Sequence, residues 1–294
     1  MASRTFAPAT LRYQATDAPH GTTQARTLIV LIPGHVASAT IQLQAGGFND
    51  PSGRFIPYLI EELLARGSLL EVNHPKVGHF SFEAEASQIV DRIEDLGFEH
   101  LVLIGQSMGG RVATAVIDEL RVRGMAHMIE DGNGLFVAEC ALATAQDVKM
   151  PIKYWRAMRW PRALNLLGNR LFNWLNKGYY VEAGAEPLNL RHQRFMAFFP
   201  NGARRSQMQA MLALQPMPKG VYDGIELVYL ASQIDALVQF SAATTYVVAF
   251  GAGHLMITST GWHCAHPEQP SLWNSMLAAA LEIGGFPRFS YDTV

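Results

Sequence analysis

Cysteine is nearly absent from the sequence: Cys140 and Cys264 are the only two in 294 residues. A single pair could form one bridge but is no disulfide framework, so reduced thiols in a cytoplasmic protein are expected. Neither charge is in excess, and the formal net charge is −2. That removes the global attraction that nucleic acid or a strongly anionic partner would need. No uninterrupted apolar run approaches the ~20 residues of a membrane-spanning helix. The N-terminal stretch MASRTFAPATLRYQ lacks the apolar segment of a secretory signal. There is no H-E-x-x-H and no paired-cysteine motif, so no metal is expected, and no other cofactor is called for.

What the chain does have is apolar residues, at 49% of the total. Its length can bury one large core or two modest ones. Thr27 to Ile32 is a continuous, β-branched-rich run that stops at Pro33-Gly34, as a buried strand entering a tight turn would. Phe55 to Arg66 and Glu83 to Leu96 carry helical spacing, each followed by glycine. Leu69 to Val72, His100 to Ile104, Leu135 to Ala143, Ile225 to Leu230 and Leu255 to Thr258 read as strands. Gly109 to Arg123, Phe240 to Phe250 and Leu272 to Ile283 read as helices. Strands alternating with helices predict an α/β fold with a mostly parallel sheet covered on both faces.

The densest local signal is Gly105-Gln106-Ser107-Met108-Gly109-Gly110, a G-x-S-x-G pattern between a predicted strand and a predicted helix. A serine on so sharp a turn needs neighbours without bulk, which Gly105 and Gly109 provide. The turn lifts the hydroxyl above the sheet and puts the backbone N–H of Met108 at a helix N-terminus, where it can stabilise an oxyanion. Ser107 is therefore the candidate nucleophile. A phosphate-binding loop is the weaker alternative, since neither G-x-x-x-x-G-K-[ST] nor G-x-G-x-x-G occurs.

With these residues in view, the chain resembles the α/β-hydrolase superfamily from about Thr27 to Leu281, apart from one insertion. Members carry a His-Gly pair or similar after an early strand. The matching stretch here is Pro33-Gly34-His35-Val36, with Pro in place of the usual His. The resemblance implies that the second oxyanion N–H comes from His35. It also implies the chain order nucleophile, acid, histidine. Asp235, after the strand Ile225 to Leu230, is then the acid, with Asp147 as the runner-up. Among the late histidines, His254 precedes its strand. His263 follows it, and Gly261 with Glu268-Gln269-Pro270 matches the family's G-H…E-x-P ending. His263 is the expected base and His266 the alternative. Cys264 reads as a small packing residue.

From about Val148 to Tyr222 the alternation stops, and a helical cap inserted between core strands is expected. The domains would then be a core of residues 1–147 and 223–294 and a cap of residues 148–222. Between Lys149 and Lys219 twelve residues are Lys or Arg, while only Glu182 and Glu186 are acidic. Arg162 to Lys177 is amphipathic, with Leu164, Leu167, Leu171, Trp174 and Leu175 on one face. Leu171 and Trp174 are expected to line the substrate pocket. A plain cap with a solvated basic face is favoured over contact with an anionic membrane surface. The resemblance implies a serine hydrolase acting on a carboxylic ester, thioester or lactone of a small lipophilic substrate. C–C bond hydrolysis and non-catalytic ligand binding are the alternatives on this fold.

Overall fold

The computed structural model describes residues 9–35, 48–49, 55–56, 58–76, 78–148, 200–235, 237–259, 263 and 269–288. Seven strands form one sheet: β1 (Thr10–Gln14), β2 (Thr27–Ile32), β5 (Ser68–Asn73), β6 (His100–Gln106), β7 (Gly134–Glu139), β8 (Glu226–Ser232) and β9 (His254–Thr258). A separate ribbon pairs β3 (Phe48–Asn49) with β4 (Phe55–Ile56). The order in the large sheet is β1-β5-β2-β6-β7-β8-β9. Only β1 runs antiparallel, against β5; the remaining pairs are parallel.

The alternation of side chains along the strands sorts the core into two layers. Leu28, Val30 and Ile32 of β2 join Leu101, Leu103 and Phe136 in one cluster. That cluster takes in the buried faces of α2 (Phe82–Leu96), α3 (Met108–Val122) and α5 (Ser241–Phe250). Ile29, Leu31, Val102, Ile104, Leu135 and Val137 point the other way. They meet Leu63 of α1 (Tyr58–Leu64) and Trp273, Leu277 and Leu281 of α6 (Pro270–Ile283). Burial on both faces explains why β2 reads as one unbroken apolar run, all six residues being buried. α2 is bounded by its own caps: Ser81 Oγ accepts from the N–H of Ala84, and Gly97 takes the left-handed conformation.

The structure departs from the sequence expectations at three places. The helix expected from Phe55 starts only at Tyr58, because Pro57 drives the residue before it into extended geometry and Phe55–Ile56 becomes β4. The strand expected to reach Ala143 stops at Glu139, since Cys140 adopts φ 43°. β1 carries no clear signal: it is an edge strand with an exposed or half-buried side chain at every position. Residues 149–199 hold most of the expected cap, with Leu171 and Trp174, and lie outside the described residues. Beyond them α4 (Asn201–Leu212) is helical, and its Met208 and Met211 are buried in the first cluster. Among the described residues no helix is long and apolar enough to cross a membrane.

Candidate active site

In a parallel sheet the C-terminal strand ends gather at one edge, which is where open α/β sheets bind ligands. Here that edge carries, in sheet order, His74 after β5, Pro33–His35 after β2, Ser107 after β6, Cys140 after β7, Asp235 after β8 and His263 after β9.

Ser107 sits between β6 and α3 with φ 50° and ψ −115°, a strained conformation for a residue with a side chain. Close packing enforces the turn. A Cβ on Gly105 would lie 2.8 Å from the carbonyl oxygen of Gly109, and one on Gly109 would lie 2.3 Å from the carbonyl oxygen of Ile32. The two flanking glycines of the motif are thus a steric requirement. The N–H of Ser107 donates to the carbonyl of Glu139, and its own carbonyl accepts from Gly110 and Leu142.

The Ser107 hydroxyl donates to His263 Nε2 over 3.0 Å, and His263 Nδ1 donates to Asp235 Oδ2 over 2.8 Å. All three side chains are buried, none more than 6% exposed. A carboxylate only accepts, so the Nδ1 proton is directed to Asp235 and the Nε2 lone pair to the serine. Asp235 Oδ1 accepts from the N–H groups of Leu237 and Val238. Burial alone would raise the pKa of Asp235, but the imidazole and these two amides outweigh it and hold the carboxyl below its ordinary range.

Asp147, the runner-up for the acid, is occupied locally. Its Oδ2 accepts from the N–H groups of Ala143 and Thr144, closing a short capping turn. His254 is the first residue of β9, at the opposite end of the strand, exposed and paired with Glu226 at 3.4 Å. His266 and Cys264 lie outside the described residues.

Met108 opens α3, so its N–H is among the first amides of the helix, which have no partner within it. The Pro33–His35 turn passes close by: a Cβ on Gly34 would lie 3.1 Å from Ser107 Cβ. Gly34, the neighbour of His35, is thereby brought to the nucleophile's side. The His35 ring donates through Nε2 to the carbonyl of Arg204 at 3.2 Å, and burial pushes its pKa down to about 3.

Two neighbours escaped sequence reasoning. Glu139 ends β7 with a buried carboxyl whose pKa burial raises to about 8. Hydrogen bonds from Trp273 and Gln106 and the charge of His263 oppose that shift, and the charge of Asp235 adds to it. Its only sequence signal is a lone acid inside the apolar run Leu135–Ala143. Cys140 is a buried free thiol that donates to Asp235, and burial first, then the two nearby carboxyls, holds it protonated. Ligand atoms of Cys140, Asp235 and His263 lie within 4.8 Å of one another. A metal would require the thiolate and would have to displace the Asp235–His263 hydrogen bond. Glu139, Cys140, His263 and Trp273 help line one small pocket.

Comparison with known proteins agrees with this architecture. Residues 29–269 match the family described as the alpha/beta hydrolase family. No curated protein matches the sequence. Among solved structures, a hydrolase from Pseudomonas aeruginosa PA01 is similar, with TM-score 0.64, 14% identity and coverage of 93% of this chain and 94% of that one. An enol-lactonase from Burkholderia xenovorans LB400 is similar too, with TM-score 0.65, 14% identity and coverage of 93% and 97%. So is an esterase from Rhodococcus sp. ECU1013, with TM-score 0.66, 16% identity and coverage of 93% and 95%. At such identities the likeness speaks for the fold alone.

Proposed function

The chain belongs to the alpha/beta hydrolase family, and from that premise we propose that it is a serine hydrolase that cleaves a carboxylic ester, thioester or lactone of a lipophilic small molecule. One observation carries the reading. Ser107, strained on its turn, is hydrogen-bonded to His263, which is hydrogen-bonded in turn to Asp235.

Each group then has a defined task. Ser107 Oγ attacks the substrate carbonyl while His263 Nε2 takes its proton. The tetrahedral oxyanion is met by the N–H groups of Met108 and His35. His263 returns the proton to the leaving alcohol or thiol, and the acyl group stays on Ser107. Water, deprotonated by the same imidazole, releases the acid and restores the serine. Asp235 keeps the proton on Nδ1 and stabilises the imidazolium formed in each half-reaction. The lipophilic part of the assignment rests on the apolar face of Arg162 to Lys177 within the proposed cap.

A fluorophosphonate probe tests the reading directly. It should label the wild-type protein and not Ser107→Ala, and the wild type should turn over activated esters. A wild-type protein that neither reacts with the probe nor hydrolyses any member of an ester, thioester and lactone panel would overturn it.

A further inference from the structure

His74 follows β5, two strands away from Ser107, and lies buried with Glu85 of α2. Its Nδ1 is 2.5 Å from Glu85 Oε1, and its Nε2 is 2.7 Å from the carbonyl oxygen of Pro33. A carbonyl oxygen can only accept, so Nε2 carries a proton. An ionised Glu85 can only accept, so beside it Nδ1 carries one as well and the ring is an imidazolium held between two acceptors. Burial works against that charge, but the Glu85 carboxylate and the hydrogen bonds to Glu85 and Pro33 prevail and keep the imidazole pKa above its ordinary value. The ring is fixed sideways too: it meets Phe80 edge-on, with centroids 5.7 Å apart, and the N–H of Phe80 donates to Ser206 Oγ.

What His74 grips is the residue that starts the Pro33–His35 turn. Past Ile32 that turn has left the sheet, and it brings Gly34, the neighbour of His35, against Ser107. A donor in an oxyanion hole acts only if it is aimed before charge develops, and a displacement of ~1 Å can cost ~100-fold in rate. A buried ion pair is in itself weak evidence for stability, because desolvation offsets most of its attraction. Its geometry here is better explained by what it holds.

We propose that His74 and Glu85 are positioning residues of the oxyanion hole, Glu85 orienting the His74 ring and the ring's other N–H anchoring the Pro33 carbonyl so that the His35 amide faces the nucleophile. The proposal rests on the serine-hydrolase reading of Ser107. It adds a dependence of the chemical step on two residues that do not touch the substrate.

The test compares wild type, His74→Gln, His74→Asn and Glu85→Gln. For each, kcat and KM on an activated ester, the rate of fluorophosphonate labelling and the thermal midpoint are measured. His74→Gln should lower kcat and the labelling rate about 10- to 100-fold, with KM within about two-fold. Glu85→Gln should lose much less, because a neutral ring still donates Nε2–H to the Pro33 carbonyl while Nδ1 accepts from the new amide. His74→Asn, which cannot reach both partners, serves as the probe if His74→Gln does not fold. Histidine 15N NMR of the wild type, which needs no activity, should show one ring protonated at both nitrogens near neutral pH, and that signal should vanish in His74→Gln. A folded His74→Gln or His74→Asn with wild-type kcat, or a His74 ring with a single proton, would overturn this proposal and leave the hydrolase reading standing. An unlabelled, inactive wild type would overturn both.

Discussion

The carbonyl oxygen of Glu139 accepts a 2.8 Å hydrogen bond from the backbone N–H of Ser107. The end of β7 therefore supports the serine's turn and buries a carboxyl beside His263 at the same residue. With its pKa raised to about 8, that carboxyl holds a proton in the folded state that the unfolded chain gives up near 4.5. Between those values the folded state binds more protons, so this group's contribution to stability falls as pH rises and levels off above about 8. Glu139→Gln mimics the protonated form. Its thermal midpoint relative to wild type should rise from pH 5 to pH 8, while activity near neutral pH stays close to wild type. A constant difference across that range would show that Glu139 ionises as an ordinary surface acid does.

Replacing His263 by Ala should cost several powers of ten in kcat/KM, while His254→Ala should be nearly silent. The basis is position: His263 Nε2 meets Ser107 Oγ, and His254 pairs with Glu226 at the far end of β9. Steady-state kinetics on one activated ester decides between them. An active His263→Ala with a dead His266→Ala would move the base to the later histidine.

Activity should fall on the acid side as the imidazole protonates, because the charged ring cannot take the serine proton. The Asp235 carboxyl lies below its ordinary range, so it stays ionised through that limb and the titrating group is His263. Asp235→Asn removes the acceptor that fixes the Nδ1 proton and should lower kcat by several powers of ten. A pH profile of kcat/KM that is flat from pH 5 to 8 would contradict the scheme.

Gly109→Ala should damage both fold and function. The added methyl carbon meets backbone oxygens of Ile32 and Pro33 at 2.3 and 2.6 Å, and neither can swing aside as a side chain could. The relief must come from the turn that carries Ser107, so a loss of about 1–3 kcal/mol in stability is expected together with a drop in probe labelling. Denaturant unfolding and labelling of the same sample measure the two effects.

Away from the site, Arg66→Ala should destabilise by about 3–5 kcal/mol without changing kcat of the folded fraction. The Arg66 guanidinium is 2% exposed. It donates to Glu62 at 3.0 and 2.6 Å, to the carbonyl of Phe286 at 2.7 Å and to Glu282 at 3.2 Å. Removing it leaves Glu62 buried without its main cation. Chemical denaturation compared with active-site titration separates stability from catalysis.

The sequence by itself determined the local pieces. The run Thr27–Ile32 could only be a buried strand, and G-x-S-x-G between strand and helix marked the Ser107 turn, because β-branching, periodicity and the absence of a Cβ act over a few residues. The weakly amphipathic edge strand β1 left no such trace, and Pro57 shortened a helix that periodicity alone extended. Only the tertiary structure decided which polar groups meet. Ser107 and His263 stand 156 residues apart in the chain and 3.0 Å apart in space. Asp235, rather than Asp147, faces the imidazole because it follows β8, the strand next to β9, while Asp147 turns back on its own backbone. Glu139, Cys140 and the His74–Glu85 pair belong to no local pattern. The parallel sheet brings the ends of distant strands to one edge, and a side chain's partners there depend on strand order, which no stretch of sequence encodes alone.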